Sequence, residues 1–151
     1  YKNFNKRLIK APKLFFYDTG LASSLLKLKN PDDLNTHYLY GSLFENLIIN
    51  EIIKNYYHCG INPSVYYWRE SNGVEIDCII EHGSNSITAL EIKGGHTFTK
   101  DYLKNLKRIE RISKNMTIYK TLIYAGDESL VSSNINIIAW NKFHEFLTQQ
   151  T

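Results

Sequence analysis

Three runs of β type follow one another in this chain with only short turn sequences between them: residues 65–69, 74–80 and 87–93, parted by Ser71-Asn72-Gly73 and by His82-Gly83-Ser84-Asn85. Asn-Gly and Gly-Ser-Asn both favour tight reversals, so the sequence demands an antiparallel meander. The segment before it is equally definite. From residue 42 to about 57, Phe44, Leu47, Ile48, Ile52, Ile53 and Tyr56 recur at helical spacing, the clearest amphipathic helix in the chain. After the meander, residues 99–113 predict a helix that buries Leu103, Leu106, Ile109 and Ile112. Residues 117–125 and 135–139 then read as strands, and Asn141 can cap a closing helix bearing Phe143, Phe146 and Leu147. The order helix, three strands, helix, strand, strand, helix is that of a mixed sheet with helices on its faces.

Ahead of this pattern stands an appendage. Leu14-Phe15-Phe16-Tyr17 is a short apolar run, and Asp18 can cap a helix carrying Leu21, Ala22, Leu25, Leu26 and Leu28, whose apolar face is expected to dock on the main domain. The polar stretch Lys29-Asn30-Pro31-Asp32-Asp33 is the one break able to serve as a linker. The division expected is a basic N-terminal segment with a helical appendage over residues 1–36, and the main domain over 37–151. The opening Tyr1-Lys2-Asn3-Phe4 has no initiator Met and no leader, which predicts a piece of a longer protein lacking its N-terminal part.

Composition excludes several classes. With 151 residues, 43% hydrophobic and 13% aromatic, the chain is neither disordered nor collagen-like. Its apolar stretches fall far short of the roughly 18 residues that cross a bilayer, so no membrane partner is expected. Two cysteines, Cys59 and Cys78, make no disulfide framework and have no second Cys or His at zinc-ligand spacing; a reducing, cytoplasmic setting is expected. The five histidines stand alone with no Ser or Cys in a nucleophile's context, and Asp18-Thr19-Gly20 runs into a helical pattern without the second copy an aspartic protease needs. The net charge of +3 is unevenly spread. Lys2, Lys6, Arg7, Lys10 and Lys13 face no acid among residues 1–13. In residues 100–114, Lys100, Lys104, Lys107, Arg108, Arg111 and Lys114 face only Asp101 and Glu110. These are the two places able to hold a polyanion.

Within the meander, strand alternation sends Val74, Ile76, Cys78 and Ile80 to one face and Glu75, Asp77 and Ile79 to the other; in the next strand Ile87, Ala89, Glu91 and Lys93 share a face. A three-residue turn at Gly83-Ser84-Asn85 pairs residue 77 with residue 91, bringing two carboxylates to about 4.5–5.5 Å at Cβ, a costly juxtaposition without a positive charge between them. A divalent cation removes that cost, and Lys93 reaches the same pocket. Mg²⁺ or Mn²⁺ suits such oxygen ligands, and the set of Asp77, Glu91 and Lys93 fits metal-assisted phosphodiester hydrolysis, with Lys93 orienting or deprotonating the nucleophile. The plain alternative is a solvent-facing charged pair on an uncovered sheet. Glu75 reads as solvated or paired with Lys93. Glu45 has its own plain reading, since Ser42-Leu43-Phe44-Glu45 is an S-x-x-E capping box.

Asp77, thirteen residues, then Glu91-Ile92-Lys93 resembles the PD-(D/E)XK signature of restriction-endonuclease-like nucleases, with Ile76 where the signature has Pro. More closely, Phe16-Tyr17-Asp18-Thr19-Gly20-Leu21, Gly41-Ser42-Leu43-Phe44-Glu45-Asn46, Tyr67-Trp68-Arg69, Glu75-Ile76-Asp77 and Glu91-Ile92-Lys93 resemble the C-terminal domain of unknown function of prokaryotic AAA+ ATPases. The resemblance implies a restriction-endonuclease-like α/β core, Glu45 as a further metal ligand beside Asp77 and Glu91, and an upstream P-loop domain as partner and holder of ATP. DNA is the implied substrate. Lys104, Lys107, Arg108 and Arg111 are candidates for its backbone, although a basic helix face is by default a solvated one. Arg69 either serves a phosphate or pairs with Glu70 or Glu75, and Tyr66, Tyr67 and Trp68 read as core and edge packing. Two functions stay open: a Mg²⁺-dependent nuclease, or a silent module of the same fold that binds DNA, a protein or another subunit for its ATPase.

Overall fold

The computed structural model describes residues 13–70, 73–83, 85–109 and 116–148. Helix α1 (Thr19–Leu25) starts where Asp18 Oδ1 accepts the Leu21 N–H at 3.0 Å, as the sequence predicts. It stops three residues short of Leu28, with Lys27 in the left-handed region at φ 59°. Its docking is slight: Ala22 is buried, whereas Leu21 and Leu25 remain exposed. The expected linker is instead the start of helix α2 (Pro31–Thr36). Asn30 Oδ1 caps the Asp33 N–H, Pro31 opens the helix, and Asp33 Oδ2 reaches back to the Lys29 N–H.

Helix α3 (Tyr40–His58) leads into the meander of β1 (Val65–Arg69), β2 (Glu75–Glu81) and β3 (Ser86–Lys93). The expected helix after it is divided into a 3₁₀ turn, Lys100–Leu103, and helix α4 (Lys104–Arg108); Arg111, Ile112 and Lys114 lie outside the described residues. Then come β4 (Thr117–Tyr124), β5 (Leu130–Ser132), β6 (Ile135–Ala139) and α5 (Phe143–Leu147). Asn141 does not cap α5: it lies inside a 3₁₀ turn, Trp140–Lys142, that feeds the helix directly.

The six strands form one sheet in the order β1-β2-β3-β4-β6-β5. Strands β1 to β3 are antiparallel, as expected, while β3–β4 and β4–β6 are parallel and β5–β6 antiparallel. The sheet is covered on both faces, which is why β3 is buried at six successive positions rather than at alternate ones. On one face α3 and α5 bury Phe44, Ile48, Ile52, Phe143 and Phe146 against Cys78, Ile80, Leu90 and Ile92. On the other, Leu103, Leu106 and Ile109 pack on Ile76, Ile79, Ala89 and Leu122. The start of α3 is seated against the end of β3 by two glycines: a Cβ at Gly94 would stand 3.0 Å from Gly41 Cα. That close approach sets Glu45, one turn into α3, over the meander.

One local break corrects the expected faces of β2. Tyr66 pairs with Ile79 but Trp68 with Ile76, so β2 holds one residue more than β1, a β-bulge at Asp77-Cys78. Val74 and Ile76 therefore pack on the α4 side and Cys78 and Ile80 on the α3 side, instead of all four together.

Candidate functional site

The β2–β3 ladder runs from Glu81↔Ile87 to Cys78↔Leu90, so Asp77 and Glu91 stand opposite one another at its next step, where the strands part. The parting leaves backbone groups without a ladder partner, and the Ile92 N–H donates instead to Asp77 Oδ2 at 2.8 Å. The two acids do not share a face in the expected way. Alternation along β3 keeps Glu91 on the α4 side, where Asn105 Nδ2 lies 3.5 Å from its Oε1, whereas the bulge turns Asp77 toward α3. Lys93 joins them, with its Nζ 2.7 Å from Glu91 Oε1 and 3.5 Å from Asp77 Oδ2.

Glu45 is not a capping-box residue. Helix α3 begins at Tyr40, so Ser42 lies inside it and the Glu45 carboxylate is free to face the sheet. Its Oε1 meets Lys13 Nζ at 2.5 Å, and the same ammonium stands 3.4 Å from Glu75 Oε1 and 3.8 Å from Asp77 Oδ1. Glu75 thus pairs with Lys13, not with Lys93, and is also 3.9 Å from Arg69 Nε. That contact is one of the two roles open to Arg69.

Protonation follows from this arrangement. Burial, with the Asp77 charge behind it, pushes the Glu91 carboxyl up to about 7 against the opposing pull of Lys93. Glu45 is raised by burial and by Asp77, again against its lysine. Burial alone would lower Lys93 and Lys13, but their carboxylate neighbours outweigh it and both are held above the ordinary lysine value. With its carboxylate neighbours charged and no cation between them, Lys93 is held as an ammonium.

Glu91 Oε2 is buried with no hydrogen-bond partner among the described residues. An unsatisfied carboxylate oxygen on an acid that is hard to ionise is a position that a cation would satisfy. Among the described residues no three His, Cys, Asp or Glu side chains converge as a ready-made metal cage. Mg²⁺ does not need one, since it binds through one or two carboxylates and keeps its waters. Asp77 and Glu91, which share Lys93, fit that requirement, and Glu45 stands nearby with Lys13 on its Oε1.

Of the basic residues singled out for nucleic acid, Lys104, Lys107 and Arg108 are exposed on α4, Lys104 paired with Asp101 at 3.0 Å, and Arg111 lies outside the described residues. Sequence reasoning counted Lys13 only in a basic run able to hold a polyanion, whereas it lies among the acids, and it missed Asn105. Neither lies in a recognisable motif, and both reach the acids across tertiary contacts of many residues.

The molecule is thus a mixed α/β domain with an acid–lysine cluster where two antiparallel strands part. The chain belongs to the family described as Domain of unknown function (DUF4143), whose pattern matches residues 40–143. Uncharacterized protein Mb2031c of Mycobacterium bovis and uncharacterized protein Rv2008c of Mycobacterium tuberculosis are each 28% identical to it over 81 residues, covering 54% of this chain and 18% of theirs. The matched stretch therefore corresponds to less than a fifth of the length of these relatives. Among solved structures, a chain in an assembly of Thermococcus gammatolerans McrB AAA+ hexamers with bound McrC is 16% identical, with a TM-score of 0.46, covering 66% of this chain and 27% of that one.

Proposed function

We propose that this domain is a restriction-endonuclease-like module of the PD-(D/E)XK kind, carried by an AAA+ ATPase, that hydrolyses DNA phosphodiesters with Mg²⁺ or Mn²⁺. The observation that carries the reading is the junction of Asp77, Glu91 and Lys93 at the parting of β2 and β3, with Glu91 Oε2 left unsatisfied. Asp77 and Glu91 would hold the ion, which when bound supplies a water of lowered pKa and positive charge against the scissile phosphate.

The chain's own groups do the rest. The Ile92 N–H fixes the Asp77 carboxylate, Asn105 steadies Glu91, and the protonated Lys93 offers its charge to a phosphate oxygen as negative charge builds there. In this reading Lys104, Lys107 and Arg108, exposed on the helix that carries Asn105, would receive the DNA backbone. The attachment to an ATPase rests on the sequence motifs and on the much greater length of the mycobacterial relatives.

A second reading, a non-catalytic module that binds DNA or a partner for its ATPase, is favoured by one feature: two lysines already neutralise much of the acid cluster. Incubation of the chain with plasmid and with single-stranded DNA, in Mg²⁺, in Mn²⁺ and in chelator, separates the two. Nuclease function predicts metal-dependent cleavage that falls by about 100-fold or more in Asp77→Asn and in Glu91→Gln. DNA retained without cleavage in every metal would leave the binding module.

A further inference from the structure

Lys13 belongs to none of the strands or helices, yet its ammonium is the most heavily contacted cation of the cluster. It touches Glu45, Glu75 and Asp77, lies 5.0 Å from the centre of the Tyr67 ring, and has a side chain only 29% exposed. A surface lysine has little reason to be held this way, since an exposed ion pair scarcely repays the ordering of a long side chain. Here the ordering is imposed from behind. The strap just after Lys13 is clamped to α3 at Phe16, whose N–H donates to Asn46 Oδ1 at 2.7 Å and whose C=O accepts from Asn46 Nδ2 at 2.9 Å and from Asn50 Nδ2. Asn46 and Asn50 are both buried and stand one turn apart on α3, Asn46 directly following Glu45 in the chain. Two buried amides spent on one backbone unit fix where the strap runs, and so where Lys13 ends.

We infer that Lys13 is a residue of the candidate site, a tethered cation that competes with a divalent ion for the Glu45 side of the cleft. With the strap docked, Glu45 and Glu75 are neutralised by an ammonium and Asp77 shares its charge with it, leaving Asp77 and Glu91 to attract one weakly held ion. With Lys13 withdrawn, Glu45 is released toward Asp77 and the cleft becomes more negative. Residue 13 thereby sets how strongly the site takes metal. This inference rests on the metal-binding reading proposed above.

The test is calorimetric titration of the 151-residue chain with Mn²⁺ and with Mg²⁺, comparing wild type, Lys13→Met and Lys13→Arg. The first variant should bind Mn²⁺ at least tenfold more tightly than wild type, or take up an additional ion, while the arginine variant stays near wild type. Asn46→Ala, which loosens the strap but keeps the lysine, should move affinity in the same direction as Lys13→Met. Equal affinity and stoichiometry in wild type and Lys13→Met would overturn the inference and leave the metal-binding reading intact. Weaker binding in Lys13→Met would overturn it as well, marking the lysine as a support of the ion. Failure of all the proteins to bind metal would overturn both.

Discussion

At the residue scale, the site holds Glu91 at a cost. Its carboxyl is pushed from the ordinary 4.5 to about 7 by burial and by Asp77, so the folded chain binds the proton more tightly than the unfolded chain does. Below pH 4.5 both states are protonated and no penalty exists; stability falls as pH rises from there through 7, and above that the full penalty applies. Glu91→Gln removes the charge while keeping the shape. It should therefore raise stability above pH 7 by roughly 1–3 kcal/mol, with the difference vanishing below pH 4.5. Thermal melts of both proteins across that range check the sign: a variant less stable than wild type at about pH 8 would mean that the Lys93 pair outweighs the burial. Asp77, Glu91 and Lys93 were legible in the sequence because strand spacing alone puts residues 77 and 91 in register. Lys13 was not, because nothing local to it says that buried Asn46 and Asn50 will hold the next residues in place.

At the scale of elements, the meander and α3 could be read because their signals are local: tight-turn sequences between β runs, and apolar residues at helical spacing. Ile52 is fully buried between α3 and the sheet, and Ile52→Ala should cost about 2–5 kcal/mol, read as a lowered denaturant midpoint with an unchanged slope. A cost below about 1 kcal/mol would mean that α3 does not anchor the sheet. Other elements escaped for physical reasons. Strand β5 is three residues long, and its hairpin to β6 turns through Ser133 and Asn134, both at positive φ, without the Asn-Gly that marks such turns. Helix α2 was hidden in a polar stretch whose Asn30 and Pro31 read equally as a turn and as a helix start. The faces of β2 were misassigned because a bulge is set by pairing with β1, which alternation within one strand cannot reveal. That bulge also matters most to the site, since it turns Asp77 toward Glu45 and away from Glu91's own face.

At the scale of the whole molecule, a sheet covered on both faces is open where β2 and β3 part, and the acid cluster and the clamped strap meet at that opening. The nuclease reading and the role inferred for Lys13 both depend on a divalent ion held there between Asp77 and Glu91. A ligand that binds the folded chain alone stabilises it by mass action, about 2.7 kcal/mol at a hundred times the dissociation constant. The sharpest check is an anomalous difference map from crystals of the chain soaked in millimolar Mn²⁺. One peak is expected at coordination distance from both carboxylates, lost in crystals of Asp77→Asn. A map with no peak there, or with a peak held by other residues, would show that the opening is not a metal site.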